Sequence, residues 1–330
     1  MAKYDELSKI RIVDGVATGE QRLATNFVSH RTDDVHAGGI ARALGFSGGL
    51  VSGLIHDEQF VPLALHFFGS SWFECGRYSF YYRTATYDQD PVQAYMEVPP
   101  VGEGPKQVRA WSKTPGGDIV CDGTIGLGAV ATPSGLEMAL SRFVAVKDLR
   151  IVGGLEPGEQ LPTEIRRFPL HERDARLSSQ RTDQPAGEAQ MQRLGSTSEP
   201  LSWYFGPSPW GPPIAGSLAL MRLLRAPIGL LDMGGAFEVI GGIDVRFHKG
   251  PIFVDQDYEL RSWIAGVGAS PRTEMAWFYS KLYHPGKDEV LAEATVLVRY
   301  FDPYIRDLHD SSRNSLQCGE SSSICLSSFR

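Results

Sequence analysis

DDVHAGGIARALGFSGGLVSGLIHDEQFVPLALHFFGSSWFECGRYSFYYRTATYDQDPVQAYMEV, residues 33–98, is the stretch whose reading decides the fold. It begins with a polar loop that carries Asp33, Asp34 and His36. Ile40 to Leu44 predict a short helix, and Gly45 supplies the left-handed residue that closes one. From Gly49 onward the chain carries Leu50, Val51, Leu54, Ile55, Phe60, Val61, Leu63, Ala64, Leu65, Phe67 and Phe68. These fall on more than one face of a helix, so that helix is expected to be surrounded by protein. A carboxylate and an imidazole ahead of a glycine-opened buried helix can do acid/base work on a ligand held at the helix N-terminus.

Outward from this stretch, Arg77 to Tyr87, Val92 to Val98, Gln107 to Lys113 and Ile119 to Gly128 read as strands. The turns between them hold Asp88 to Pro91, Pro99 to Pro105 and the hairpin signal Pro115-Gly116-Gly117-Asp118. One helix followed by several antiparallel strands is the order of an α+β domain whose sheet wraps a single helix. Upstream, residues 1–20 read as an arm or first helix, and residues 21–29, QRLATNFVS, as a strand.

The second half repeats this plan. GGLVSG at 48–53 is echoed by GPPIAG at 211–216; Tyr82 falls on Phe247, Asp90 on Asp255 and Val120 on Val290, with the small drift that loop insertions produce. The chain therefore divides into a first copy over residues 1–140, a crossover linker over 141–200, a second copy over 201–303, and a serine-rich tail over 304–330. The tail has too little apolar surface to fold alone and is expected to be disordered. Within the linker, a charged, Gln- and Pro-rich composition predicts part ordered crossover and part mobile loop.

Composition excludes several classes. The chain has 330 residues, 42% of them hydrophobic and 22% charged, enough for two ordinary domains with real cores. A net charge of −7 without any basic run argues against a nucleic-acid surface. The apolar runs break before they reach about 18 residues, which argues against a membrane span. No secretory signal is visible in MAKYDELSKIR, and the four cysteines show neither metal-ligand spacing nor a disulfide framework, so a cytoplasmic setting is expected. No cofactor is implied, since neither a dinucleotide GxGxxG after a strand nor a P-loop GK[ST] occurs. No metal is implied either, because the eight histidines lack paired ligand spacing.

Residues 26–98 resemble a MaoC-like hotdog domain, the family of (R)-specific enoyl-thioester hydratases and dehydratases. The resemblance rests on Asp33 shortly before His36, on Gly45-Phe46 ending the short helix, and most specifically on Gly48-Gly49-Leu50-Val51-Ser52-Gly53. Residues 205–301 resemble a second, degenerate hotdog, so the resemblance implies a double hotdog, each half an antiparallel sheet wrapped around a long central helix. The chain departs from the family where its loop commonly carries Asn, Pro and a further acid, and it has Ser52 where a histidine is often seen. The catalytic pair that the resemblance implies is His36 and Asp33, one handling water and the other delivering a proton beside a carbonyl. Asp34, Gly49, Leu50, Ser52 and His56 would line the substrate site, with backbone N–H groups near Gly49 and Leu50 stabilising the enolate oxygen. Trp203, Tyr204 and Trp210, ahead of the second helix, are further candidates for the lining.

Each residue also has a plainer reading. Asp33 and Asp34 suit a helix cap or an Asx turn. His36 suits a hydrogen-bonded structural histidine, and Gly48 and Gly49 suit close packing alone. Ser52 and His56 suit helix hydrogen bonding, and the aromatic group suits a core. The second half has no histidine beside a carboxylate ahead of GPPIAG, which predicts one active site per chain. A duplicated half without a site can widen the cavity, which would suit a bulky polyketide- or terpenoid-like specialised metabolite. The expected partner is a small-molecule substrate, free or linked to a carrier or CoA, with the protein a monomer or homodimer. Two other classes stay open. One is a hotdog thioesterase working through Asp57 or Glu58 on the central helix; the other is a cavity that steers isomerisation or cyclisation without hydration chemistry.

Overall fold

The computed structural model describes residues 9–26, 34–102, 104–142, 148–170, 201–204 and 206–302. Among them, twelve strands form a continuous antiparallel sheet. In chain order the first half contributes β1 (Arg11–Val13), β2 (Val16–Thr18), β3 (Arg22–Leu23), β4 (Gly76–Tyr82), β5 (Pro91–Glu97), β6 (Lys106–Lys113) and β7 (Ile119–Leu127). The second half contributes β8 (Glu164–Arg167), β9 (Phe237–Phe247), β10 (Asp257–Ser270), β11 (Thr273–Tyr283) and β12 (Val290–Phe301).

The spatial order is β1-β2-β5-β6-β7-β4-β9-β12-β11-β10-β8, with β3 paired to β5. Read outward from the central β4–β9 seam, the two halves follow one plan, β4-β7-β6-β5-β2 against β9-β12-β11-β10-β8. The seam itself is antiparallel, with Arg77 opposite Arg246 and Tyr81 opposite Gly242. Tyr82 and Phe247, matched in the sequence, are the last residues of the two seam strands and lie at opposite ends of the antiparallel seam.

The central helix of the first half is built from α2 (Leu54–Asp57), a 3₁₀ turn (Glu58–Phe60) and α3 (Val61–Phe68). The backbone stays right-handed helical across the junctions at Gly53, Glu58 and Val61. Pro62 explains the tight turn, because it has no N–H to offer the carbonyl of residue 58. Phe60, Leu63 and Ala64 are buried, and Phe60 stacks on Phe80 of the sheet at 4.3 Å between ring centroids. In the second half the corresponding helix is Ser217–Leu224, here called α6 after the short helices α1 (Gly38–Ala43), α4 (Ser71–Cys75) and α5 (Gly135–Ser141). Helices α2 and α6 pack on each other inside the curve of the sheet. On the outer face, α5 is held by a capping box between Ser134 and Glu137 and lays Leu136 and Leu140 against Trp277, Leu297 and Met275.

The structure corrects the sequence reading in four places. Residues 11–18 are a β-hairpin and not an arm or helix; its turn is Asp14-Gly15, both at positive φ (49° and 76°), a dipeptide well suited to a two-residue hairpin loop. The first central helix begins at Leu54 and not at Gly49. The second spans only eight residues, so one of the two helices is long and the other is short. Residues 148–170, assigned to the crossover, supply the edge strand β8 paired with β10, and they bury Val152, Leu155, Leu161 and Phe168 in the core. The tail expected over 304–330 lies outside the described residues.

Candidate active site

The loop that carries His36 is fixed by its own backbone. The carboxylate of Asp34 accepts the His36 backbone N–H at 2.9 Å, and its carbonyl accepts the N–H of Ala37 at 3.0 Å, so Asp34 forms an Asx-type turn. Helix α1 follows and ends in a Schellman pattern: Phe46 N–H bonds to Ala41 O and Gly45 N–H to Arg42 O, with Gly45 at φ +90°. Asp33, the carboxylate paired with His36 in the sequence reading, lies outside the described residues.

Three further contacts set the position of the imidazole. The side-chain amide of Asn26, itself buried, donates to the carbonyl of His36 at 3.0 Å. The Leu50 N–H donates to the carbonyl of Val35 at 3.0 Å. His36 Nδ1 lies 2.6 Å from the carbonyl oxygen of Leu50. A carbonyl only accepts, so Nδ1 carries the proton and Nε2 presents a lone pair. Among the described residues no other group bonds to that nitrogen, and the half-buried ring is therefore held in the tautomer a general base requires.

Gly49 has a steric task in this arrangement. A Cβ built on it would lie 2.2 Å from the His36 carbonyl oxygen, closer than any real contact. The absent side chain is what lets residues 49–50 run against the His36 loop. This also changes the role expected for the Leu50 backbone: its N–H is engaged by Val35 and its carbonyl orients the imidazole. Neither Gly49 nor Leu50 stands at the N-terminus of the central helix. Ser52 precedes that helix as well, its carbonyl accepting the N–H of Ile55, and its side chain is half-buried.

His56 is packed away from solvent. It is 1% exposed, with Nε2 2.7 Å from the Thr86 hydroxyl and Nδ1 3.4 Å from the Gln59 amide. It opens a run of four consecutive buried polar residues, His56-Asp57-Glu58-Gln59. The Tyr82 hydroxyl sits 2.9 and 3.0 Å from the two oxygens of Asp57. Glu58 crosses to the second half, where the Tyr204 hydroxyl donates to Oε2 at 2.9 Å and the Ser217 N–H, at the start of α6, donates to Oε1. The sequence reading missed Asn26, Tyr82, Thr86 and Ser217. Only Asn26 left a trace, as the side-chain amide of the QRLATNFVS segment nearer to the His36 loop.

Trp203 and Tyr204 are likewise packed away, both buried in a 3₁₀ turn, and Trp210 is half-buried with Nε1 donating to Glu74 at 2.7 Å. Phe73 stands at the centre of this group, 6.1 Å from Trp203, 6.5 Å from Tyr204 and 6.3 Å from Trp210. The aromatic cluster is thus a core joint between the halves and does not join the His36 loop.

Burial pushes the two titratable groups of the polar run in opposite senses. His56 is lowered to about 4 by loss of solvent. The Asp57 carboxyl is held well above the usual range by burial, with the Tyr82 hydrogen bond opposing and the Glu58 charge adding to the rise. Below pH 6.5 the unfolded chain protonates at His56 while the folded chain does not, so stability falls as pH falls. Asp57 has the opposite slope, its contribution falling as pH rises above the unfolded carboxyl value. Relative to His56→Gln, the wild type is expected to lose about 3 kcal/mol between pH 6.5 and pH 4. Urea unfolding of both proteins across that range checks this, and parallel profiles would mean that His56 protonates in the folded state.

Among the described residues, no cluster of three His, Cys, Asp or Glu could hold a metal ion, and no helix is long and apolar enough to cross a membrane. No protein-family profile matches the sequence, and neither does any curated protein. Solved structures do. A double-hotdog protein of Mycobacterium tuberculosis, described as a conserved hypothetical protein, superimposes with a TM-score of 0.56 at 11% identity, over 90% of this chain and 98% of that one. The chain is a double hotdog. A candidate MaoC domain dehydratase of Chloroflexus aurantiacus gives a TM-score of 0.52 at 13% identity, over 90% of this double hotdog and 96% of that chain. An acyl-CoA thioesterase II of Mycobacterium marinum gives 0.41 at 11% identity, over 91% and 99% of the two chains. At these identities the likeness concerns the fold, and both dehydratase and thioesterase hotdogs are among the structural neighbours.

Proposed function

We propose that this double hotdog is a hydro-lyase, a hydratase or dehydratase of β-hydroxy carbonyl or thioester substrates, with His36 as its general base. The observation that carries this reading is the bond from His36 Nδ1–H to the Leu50 carbonyl, which leaves Nε2 as the proton acceptor. In the dehydration direction Nε2 takes the proton from the carbon next to the carbonyl, and the electron pair forms the new C=C bond. The C–O bond at the β position then breaks, and the hydroxyl leaves as water with a proton delivered by Asp33. The name of the Chloroflexus relative is consistent with this chemistry. A bulky specialised metabolite remains our preferred substrate, because the second half offers no catalytic histidine of its own.

The thioesterase alternative asks a carboxylate of the central helix to meet a thioester and water. Asp57 and Glu58 are 3% and 2% exposed and already bonded to Tyr82, Tyr204 and Ser217, which disfavours it. A direct test incubates the full chain with a panel of (R)-3-hydroxyacyl-CoA and 2-enoyl-CoA thioesters and with free β-hydroxy ketones. The expected result is gain or loss of one water with the thioester intact. Release of free CoA thiol without that interconversion would replace the proposal by the thioesterase, and inertness across the panel would remove it.

A further inference from the structure

The second half contains a cavity of about 640 Å³ that none of the candidate catalytic residues line. It lies where the C-terminal end of α6 and the loop after it meet β8 and the ends of β9 and β12. Its walls are largely apolar, with Ile228, Leu231 and Met233 from the loop. Its charged and hydroxyl groups come from Arg166 of β8, Arg222 of α6, Arg225 just after that helix, Asp232 of the loop, Glu238 of β9 and Tyr300 of β12. The volume falls within the usual range for small-molecule sites, about 300 to 1,000 Å³.

Two of these polar groups are unsatisfied. Tyr300 is 1% exposed, and its hydroxyl has no hydrogen-bond partner among the described residues. Arg225 pairs with Glu238 through one terminal nitrogen, yet its Nε–H is buried and equally without a partner. The two groups are neighbours, since Glu238, the ion-pair partner of Arg225, stands opposite Tyr300 in the β9–β12 register, and Arg225 and Tyr300 line the same cavity. Buried donors are nearly always paired, and an unpaired one is destabilising. Two orphaned donors together beside an apolar cavity fit a bound acceptor oxygen. The lining carries three guanidinium groups, Arg166, Arg222 and Arg225, against two carboxylates, Asp232 and Glu238, and this excess of one positive charge favours that oxygen being anionic.

We propose that this cavity is a second ligand site, separate from the His36 loop, that binds an apolar carboxylic acid. Its carboxylate would lie on Tyr300 Oη and Arg225 Nε, and its chain against Ile228, Leu231 and Met233. Side chains of the lining must shift slightly on binding, because both donor atoms are closed to solvent in the free protein. The assignment does not depend on hydro-lyase chemistry at His36.

Titration calorimetry of the full chain with octanoate, 1-octanol and inorganic phosphate tests it. Octanoate should bind with 1:1 stoichiometry, at least tenfold tighter than either octanol or phosphate. Tyr300→Phe removes a hydroxyl that bonds nothing in the free protein, so it should fold normally and weaken octanoate about tenfold. Arg225→Gln should weaken it further, and His36→Ala should leave it unchanged. Absence of octanoate binding overturns the proposal. So does binding that survives both cavity substitutions or is lost with His36→Ala, and phosphate binding more tightly than octanoate overturns the assigned ligand class.

Discussion

His36→Ala is expected to lower turnover of a hydroxyacyl or enoyl thioester by about 10²- to 10⁴-fold, the usual contribution of one positioned proton-transfer group. The loss should appear in kcat with little change in KM, because the imidazole acts on the proton in flight and not on the resting substrate. The fold should survive. The ring is half-buried and, among the described residues, makes one hydrogen bond, to the Leu50 carbonyl, so removing it costs about 1 kcal/mol. On the proposed mechanism, added imidazole should restore part of the rate to the alanine variant. A purely structural histidine would show the reverse pattern, with a lowered melting temperature, a rate within a few fold of wild type and no rescue. Either half of that reverse pattern would end the general-base assignment.

The same loop shows what the sequence could and could not reveal. Gly45-Phe46 ends α1 as its composition suggests, because the left-handed turn there is a local matter of one residue's backbone. The strands from β4 to β7, the hairpin at Gly117 and the echo of the first half in the second were also legible, since alternation and turn residues act within a few positions. The start of the central helix was not. Leu50, Val51 and Leu54 read as one apolar run, but the His36 carbonyl presses on Gly49 from 13 residues away in sequence and the Tyr82 ring presses on Gly53. The helix therefore starts only at Leu54, with Gly53 already at helical dihedrals as its cap, and no local propensity encodes those contacts. Residues 155–168 deceived in the opposite direction. Their charge and proline content suggest a linker, yet the edge of β10 accepts β8 and the core accepts Leu155, Leu161 and Phe168.

The run His56-Asp57-Glu58-Gln59 is the strongest case of information held elsewhere in the chain. By composition it belongs on a solvated helix face, and a carboxylate there invites the thioesterase reading. What allows its burial is a set of partners from distant segments, namely Tyr82 and Thr86 beyond the helix and Tyr204 and Ser217 in the other half. A helix period can place these four residues side by side but cannot supply their partners. Glu58 in particular replaces a side-chain cap that α6 lacks at Gly216. It is therefore a tie between halves, made by one carboxyl group to a hydroxyl and to a helix N-terminus.

Glu58→Ala should accordingly be the most destabilising single substitution at this joint. It takes the Glu58 acceptor from the buried Tyr204 hydroxyl and the part-buried Ser217 N–H, at about 1 to 3 kcal/mol each. With the small cavity added, a total of about 3 to 5 kcal/mol follows, or roughly 5 to 8 °C in melting temperature for a chain of this size. Tyr204→Phe alone should cost only about 1 kcal/mol, because it removes a donor and leaves the Ser217 bond in place. Combined with Glu58→Ala it should add almost nothing, since the hydroxyl has already lost that acceptor, so the double-mutant cycle should show clear coupling. Glu58→Gln keeps the shape and one acceptor, and is expected to melt between wild type and Glu58→Ala while retaining turnover. If Glu58→Gln instead melts like wild type and loses turnover, the carboxyl group takes part in the chemistry, and the thioesterase reading regains its ground.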